Sequence, residues 1–228
     1  MNIVIPMAGS GTRFTDAGFK LPKPLIDVNG SPMIKAVLDN LRLEGNYIFI
    51  VRKEHRDNYN IDELLSGYTI IETEGLTEGA ACSVLLAEKY IDNDDPLLIA
   101  NSDQILDWEP FTFLVSAQTD GSIVTFKSNE DKWSYVKTKN DIVTEVAEKK
   151  VISDTATSGI YYWNKGKDFV YYTKQMISKN IRVNNEFYVC PVFNEAIKDG
   201  LKFNTFDIKK MWGIGTPEDL ENYLKKDV

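Results

Sequence analysis

The stretch Met7-Ala8-Gly9-Ser10-Gly11-Thr12-Arg13-Phe14 follows the apolar run Asn2-Ile3-Val4-Ile5-Pro6 and precedes Leu21-Pro22-Lys23-Pro24-Leu25. The apolar run reads as a buried strand, and the chain leaving it enters Gly9 and Gly11, whose backbone amides can turn towards an anion without Cβ interference. Phosphate is the anion this stretch suits. Arg13 brings a planar fork matched to phosphate oxygens, and Lys23, held between two prolines, brings a point charge on a stiffened segment. A triphosphate fits such a loop. A strand ending in an ordinary Gly-rich turn also accounts for Gly-x-Gly, so the two glycines alone decide nothing. Two rival phosphate motifs are excluded. The dinucleotide fingerprint needs a third glycine where Phe14 stands, and the P-loop spacing Gly-x-x-x-x-Gly-Lys-[Ser/Thr] is absent.

Outward from this loop, Ser31 to Leu43 sets Ile34, Val37, Leu38 and Leu41 on one helical stripe, with Pro32 suited to the first turn. Tyr47 to Val51 is a continuous apolar strand, as expected for a sheet covered on both faces. A short helix around Ile61 to Ser66 leads to a third strand, Tyr68 to Glu72. Thr77-Glu78-Gly79-Ala80-Ala81 opens a helix carrying Val84, Leu85 and Ile91. Its small mouth leaves room for a flat ring or a ribose, and a plain loop-to-helix junction reads the same way. Pro96 to Ala100 is a fourth buried strand ending in Asn101-Ser102-Asp103-Gln104. In an open parallel sheet ligand groups collect beyond the C-terminal strand ends, which is where Asp103 falls; turn formation is the other use of such an Asp.

After residue 107 the strand and helix alternation changes. Trp108 to Ala117 reads as a helix, and Gly121 to Phe126, Ser134 to Thr138, Ile142 to Ala147 and Thr157 to Trp163 read as strands. Lys165 to Lys179 is a helix, and Asn185-Glu186-Phe187-Tyr188 precedes another. Glu186 is either a hydroxyl acceptor or a surface charge. Adjacent strand residues face opposite sides, so Glu148 and Lys149 share a pocket only if the strand ends or bulges there; a solvated strand end is the alternative. The tail Gly215-Thr216-Pro217-Glu218-Asp219 offers a Thr N-cap, Pro at the first helical position and an acid three residues after the cap.

The 228 residues suit one α/β domain better than two cores, and 43% hydrophobic with 26% charged residues is ordinary for a globular chain. The formal charge, 26 − 34 = −8, argues against nucleic acid or acidic membranes as partners but not against a small polyanion. Arg13, Lys20 and Lys23 would make a local positive pocket on this acidic protein. No apolar run reaches a membrane span and the first residues lack a signal-peptide pattern, so a cytoplasmic location is expected. Cys82 and Cys190 lack metal-ligand spacing and read as packed thiols in helical segments. The one histidine, His55, falls in the polar segment Arg52 to Arg56 and reads as a surface residue, which disfavours a His base or a His-built zinc site.

Three spaced blocks, Pro6 to Phe14, Pro22-Lys23-Pro24-Leu25 and Val28-Asn29-Gly30-Ser31-Pro32-Met33-Ile34, together resemble the N-terminal signature of the sugar-1-phosphate nucleotidylyltransferases. The resemblance implies a Rossmann-like three-layer α/β/α fold with a mostly parallel mixed sheet. It also implies one domain over 1–228, divided into a nucleotide-binding half (1–107) and an acceptor-binding half (108–228). By the same resemblance, Met7, Ala8, Gly9, Ser10, Gly11 and Thr12 wrap the nucleotide phosphates with Arg13, and Lys23 stabilises the phosphoryl group under attack. Thr77, Gly79 and Ala80 contact base and ribose, and Asp103 coordinates Mg²⁺. Glu148 holds a sugar hydroxyl and Lys149 the sugar phosphate, while Ser158-Gly159-Ile160-Tyr161 resembles the strand whose glycine lets the sugar approach.

The implied activity joins an NMP from an NTP to a sugar 1-phosphate and releases pyrophosphate, with no partner beyond the two substrates and homo-oligomerisation left open. A cytidylyltransferase for a polyol or choline phosphate, and a non-catalytic nucleotide-sugar binding module, are the alternatives. One departure stands out. Many members carry an Asp two residues before the Gly-Thr-Pro turn, where this chain has Gly213; a weaker metal site or recruitment of Asp207 would follow.

Overall fold

The structure is a computed structural model that describes residues 1–226. Its centre is a nine-stranded mixed sheet. Strand Asn2–Pro6 lies between Leu97–Ala100 and Asn46–Arg52, and Thr69–Thr73 completes this part; all of these pairings are parallel. Beyond Leu97–Ala100 the pattern changes. The long strand Thr155–Trp163 pairs antiparallel with it and also with Gly121–Lys127 and Ser134–Lys139, and the hairpin partner Ile142–Glu148 closes that edge. Phe203–Asp207, a strand the hydropathy pattern did not reveal, returns parallel to Gly121–Lys127.

The continuous apolar strands are explained by two cores, one on each face. Ile3, Ile5, Phe49, Val51, Leu98 and Ala100 face one, while Val4, Ile48, Ile50, Leu97 and Ile99 face the other. Alternate residues of one strand point to opposite sides, so a sheet buried on both faces has no polar positions to spare. The helix Met33–Leu41 covers the first face through Met33, Ile34, Val37, Leu38 and Leu41, the stripe expected from sequence, although Ser31 and Pro32 form a short strand ahead of it. Ala80–Leu85, Gly166–Ser178 and Val192–Lys198 cover the second through Val84, Phe169, Met176 and Phe193. This three-layer α/β/α arrangement buries Trp163 between Phe193 and Phe203, with ring centroids 4.5 and 5.0 Å away.

Two expectations are corrected. His55 is buried at 8% exposure, because it is the inward residue of the short helix Lys53–Asn58 and packs edge-on against Tyr59. Burial, with Arg52 beside it, pushes its imidazole below the ordinary histidine value. The helix expected to carry both Leu85 and Ile91 is broken into Ala80–Leu85 and Glu88–Ile91.

Candidate active site

In a parallel sheet, loops leaving adjacent strands at their C-terminal ends meet over one edge. Strands Asn2–Pro6 and Leu97–Ala100 are neighbours, so residues 7–10 and 101–103 arrive side by side. Because Thr155–Trp163 runs antiparallel to Leu97–Ala100, with Ile160 opposite Ala100, Thr157, Ser158 and Gly159 reach the same end; the Asn101 amide donates to the Gly159 carbonyl at 3.0 Å. The result is a cleft of about 700 Å³, within the usual range for a small-molecule site.

Its phosphate end is built from the opening stretch. Met7, Ala8, Gly9, Ser10, Arg13 and Lys23 line it, and a Cβ at Gly9 would meet nothing within 4 Å, so that backbone lies open to a ligand. Gly11 takes φ +64 to start the short helix Thr12–Asp16, which Phe14 anchors by burial at 1% exposure. Gly11 itself packs against Lys23 and, like Thr12 and Lys20, stands outside the walls of the cleft.

The Lys23 Nζ donates to Asp103 Oδ2 at 2.8 Å, across 80 residues of sequence. Both side chains are about a quarter exposed or less, so the pair is reachable yet partly shielded. Asp103 is fixed from behind. The Ile214 amide donates to its carbonyl, and its carboxylate lies so close to Gly215 that a Cβ there would stand 2.3 Å from Oδ2. The closing Gly-Thr-Pro turn therefore seats the acid, and Thr216 caps the last helix by accepting from the Asp219 amide at 3.1 Å.

At the other end Glu148 closes its strand and Lys149 takes φ +52, which turns the chain so that both neighbours line the cleft. Glu148 accepts from the Ser134 hydroxyl. Burial pushes its carboxyl above the usual value, against the opposing pull of Ser134 and Lys149. Lys149 donates to the Tyr188 hydroxyl and lies 4.6 Å from that ring's centre. Glu186 is brought in by the turn Val183-Asn184-Asn185-Glu186, whose two asparagines both have positive φ. Asn-rich pairs suit such tight turns, and this was the available sequence signal for Glu186.

Thr77, Gly79 and Ala80 also line the cleft. Two of the glycines are packed against protein on their Cβ side. A Cβ on Gly79 would lie 2.5 Å from the Phe187 carbonyl oxygen, and one on Gly159 would lie 2.3 Å from Gln104 Oε1 and 2.4 Å from Asn101 Nδ2. Both glycines are thus backed by protein atoms on the side where a Cβ would stand, and both still line the cleft. Asp207 does not replace the missing acid at Gly213, since it accepts from Thr125 on strand Phe203–Asp207 and is not part of the cleft wall. The Trp133 ring fills that place instead, 2.9 Å from where a Gly213 Cβ would stand, and Lys132 beside it bridges to Asp219 at 3.0 Å. Cys82 is a free thiol on the helix Ala80–Leu85, whereas Cys190, also free, is buried at the cleft wall in the turn before the helix Val192–Lys198 rather than within a helix.

A three-layer α/β/α sheet with a glycine loop, a lysine on a 3-10 turn paired to an aspartate beyond a parallel strand end, and a polar chamber beside them defines an α/β protein with a ligand-sized cleft. A family model described as nucleotidyl transferase matches residues 3–227, and the chain belongs to that family. It is 28% identical over 243 residues to a mannose-1-phosphate guanyltransferase of Aspergillus oryzae, covering 96% of this chain and 62% of that protein. It is 26% identical to the bifunctional protein GlmU of Methanococcus aeolicus, covering 94% and 53%. The chain thus spans little more than half to three-fifths of the length of these curated relatives. A nucleoside-diphosphate-sugar pyrophosphorylase from Vibrio cholerae has the same fold, with a TM-score of 0.84 at 24% identity over 98% of this chain and all of that one. The inositol-1-phosphate CTP transferase from T. maritima superposes with a TM-score of 0.76 at 15% identity, covering 100% of this chain and 97% of that one.

Proposed function

We propose that this protein transfers a nucleotidyl group from an NTP to a phosphorylated acceptor, a sugar 1-phosphate, giving a nucleotide-sugar and pyrophosphate. The observation that carries this reading is the union, in one cleft, of the Lys23–Asp103 pair and glycine loop with the Glu148, Lys149 and Glu186 chamber. One end suits a triphosphate and the other a phosphorylated polyol.

The acceptor phosphate oxygen attacks the α-phosphorus, a new P–O bond forms, and the bond to the β-phosphate oxygen breaks with its electrons leaving on pyrophosphate. The attacking oxygen is already anionic near neutral pH, so no base is needed, which agrees with a buried His55 outside the cleft. Catalysis reduces to alignment and charge compensation. Arg13 and the residue 7–10 backbone hold the phosphates, Lys23 offsets charge on the phosphoryl group under attack, Thr77, Gly79 and Ala80 border the nucleoside, and Lys149 holds the acceptor phosphate. Glu148 and Glu186 accept from its hydroxyls.

The donor chemistry fits Mg²⁺. No group of three or more His, Cys, Asp or Glu suited to a metal occurs among the described residues, but Mg²⁺ keeps several waters and needs only one or two carboxylates plus substrate phosphate oxygens. Asp103 would hold it, and the bound ion would neutralise phosphate charge.

No helix among the described residues is long and apolar enough to cross a membrane. A panel of NTPs against sugar 1-phosphates, read by pyrophosphate release, tests the proposal; silence across the whole panel would leave a nucleotide-sugar binding module.

A further inference from the structure

The segment that leads from the helix Gly166–Ser178 to Glu186 follows an unusual path, with Asn180, Asn184 and Asn185 all at positive φ. The backbone bonds of its turn, exchanged between Val183 and Glu186, are internal to it. Arg182 ties it outward. The guanidinium donates from Nη1 to the Asn185 carbonyl at 3.0 Å and from Nε to Asn180 Oδ1 at 2.6 Å, and it lies 3.9 Å from the centre of the Phe187 ring. Its remaining nitrogen, Nη2, pairs with the Glu78 carboxylate, 104 residues away in sequence. Glu78 belongs to residues 77–80, the loop that borders the nucleoside on the reading above. The two segments also meet through backbone. The Phe187 amide donates to the Glu78 carbonyl at 2.8 Å, and the Ala81 amide donates to the Phe187 carbonyl at 3.0 Å. Arg182 is not part of the cleft wall, whereas Thr77 and Gly79 on one side and Asn184 and Glu186 on the other are. An ion pair whose acid is 67% exposed contributes little by itself. Here the planar fork is held by a carboxamide oxygen, a carbonyl and an aromatic face, so little freedom is lost on pairing and the pair fixes a direction.

Resting on the nucleotidyl-transfer reading above, we infer that Arg182 is a positioning residue: with Glu78 it makes the nucleoside loop and the Glu186 turn one body, so that filling one half of the cleft tightens binding in the other. A nucleoside seated against residues 77–80 restrains Glu78. Glu78 restrains Arg182, and Arg182, through Asn185, restrains the turn that presents Glu186. The second substrate then meets a turn that the first has already ordered. Thermodynamic linkage makes the effect mutual.

The full chain is first assayed for pyrophosphate release with NTPs and sugar 1-phosphates to find the accepted pair. That sugar 1-phosphate is then titrated calorimetrically into the chain, in Mg²⁺, with and without the α,β-methylene analogue of that NTP. In the native chain the analogue tightens the sugar 1-phosphate about fivefold or more. Arg182→Gln abolishes this ratio and leaves the affinity of the nucleotide-free chain nearly unchanged. Arg182→Lys, which keeps the charge and loses the fork, gives an intermediate ratio. Glu78→Ala, made at an exposed side chain, gives the same loss, and the double variant loses no more than either single one, as two members of one link require. A ratio that survives in the folded Arg182→Gln and Glu78→Ala chains, whatever their melting temperatures, overturns the assignment. Absence of any ratio in the native chain overturns it too, and in both cases pyrophosphate release leaves nucleotidyl transfer standing. No release with any pair removes that reading and this inference together.

Discussion

The phosphate end and the acceptor end of the cleft share a floor but are assembled in different ways. At the phosphate end each wall is a short loop leaving a parallel strand, so residues 7–10 are contiguous and the cation of Lys23 follows soon after. At the acceptor end the walls come from antiparallel strands and a tight turn, and Ser134, Glu148, Ser158 and Glu186 are gathered from across fifty residues. On the proposed function, backbone amides and fixed cations would serve the triphosphate. Scattered side chains would serve the acceptor. The difference teaches that the first end is built to meet a charge and the second to meet a pattern of hydrogen bonds.

If that contrast is right, damage at the two ends has different signatures. Lys23→Ala removes a charge aimed at the reacting phosphoryl group, and turnover falls by roughly 10²–10³ with acceptor KM little changed; near-normal pyrophosphate release would break the contrast at its strongest point. Asp103→Asn raises the Mg²⁺ concentration for half-maximal rate by roughly tenfold or more, and an unaltered Mg²⁺ titration would take Asp103 out of the metal site. Gly159→Ala acts on the other end through the backbone. Its φ of +82 and the Gln104 and Asn101 amides beside it leave no place for a methyl group, so urea unfolding should register a loss of about 1–3 kcal/mol or more.

The smallest effect is the pH response of Glu148. Its folded carboxyl is raised by burial above the ordinary value of 4.5. The folded state therefore holds the proton more tightly, and this contribution to stability is complete below the ordinary value and is lost as pH rises through the raised one. Melting temperature against pH should show that slope in the native chain and not in Glu148→Gln. Acceptor KM should move in the same window with the opposite benefit, improving as the carboxylate forms. A Glu148→Gln variant that keeps both profiles would show that the residue is not where acceptor recognition is set.

How much could be read beforehand follows the same division. The glycine loop, Lys23 and Asp103 were legible because strand ends and local spacing place them, and Thr216 with Asp219 announced the last helix cap. Glu148 and Lys149 were legible only through the family resemblance, since alternation along a strand argues against both facing one pocket; the left-handed turn at Lys149 resolves that conflict. Gln104 and Trp133 gave no signal, because neither residue type has a spacing that marks a cleft wall. His55 was misread because a polar segment does not reveal which side of a short helix looks inward.

By itself the sequence determined the two-faced sheet, through uninterrupted apolar strands that no half-exposed sheet would tolerate, and the anion loop, through glycines and cations close in the chain. The tertiary structure alone decided which distant groups meet. Lys23, on a 3-10 turn, meets Asp103 beyond the end of strand Leu97–Ala100, Gly159 is backed by the Gln104 and Asn101 amides, and the indole of Trp133 lies against Gly213. Those outcomes depend on register and on the direction of side chains across the sheet, quantities that pairing between remote strands sets and that local sequence does not contain.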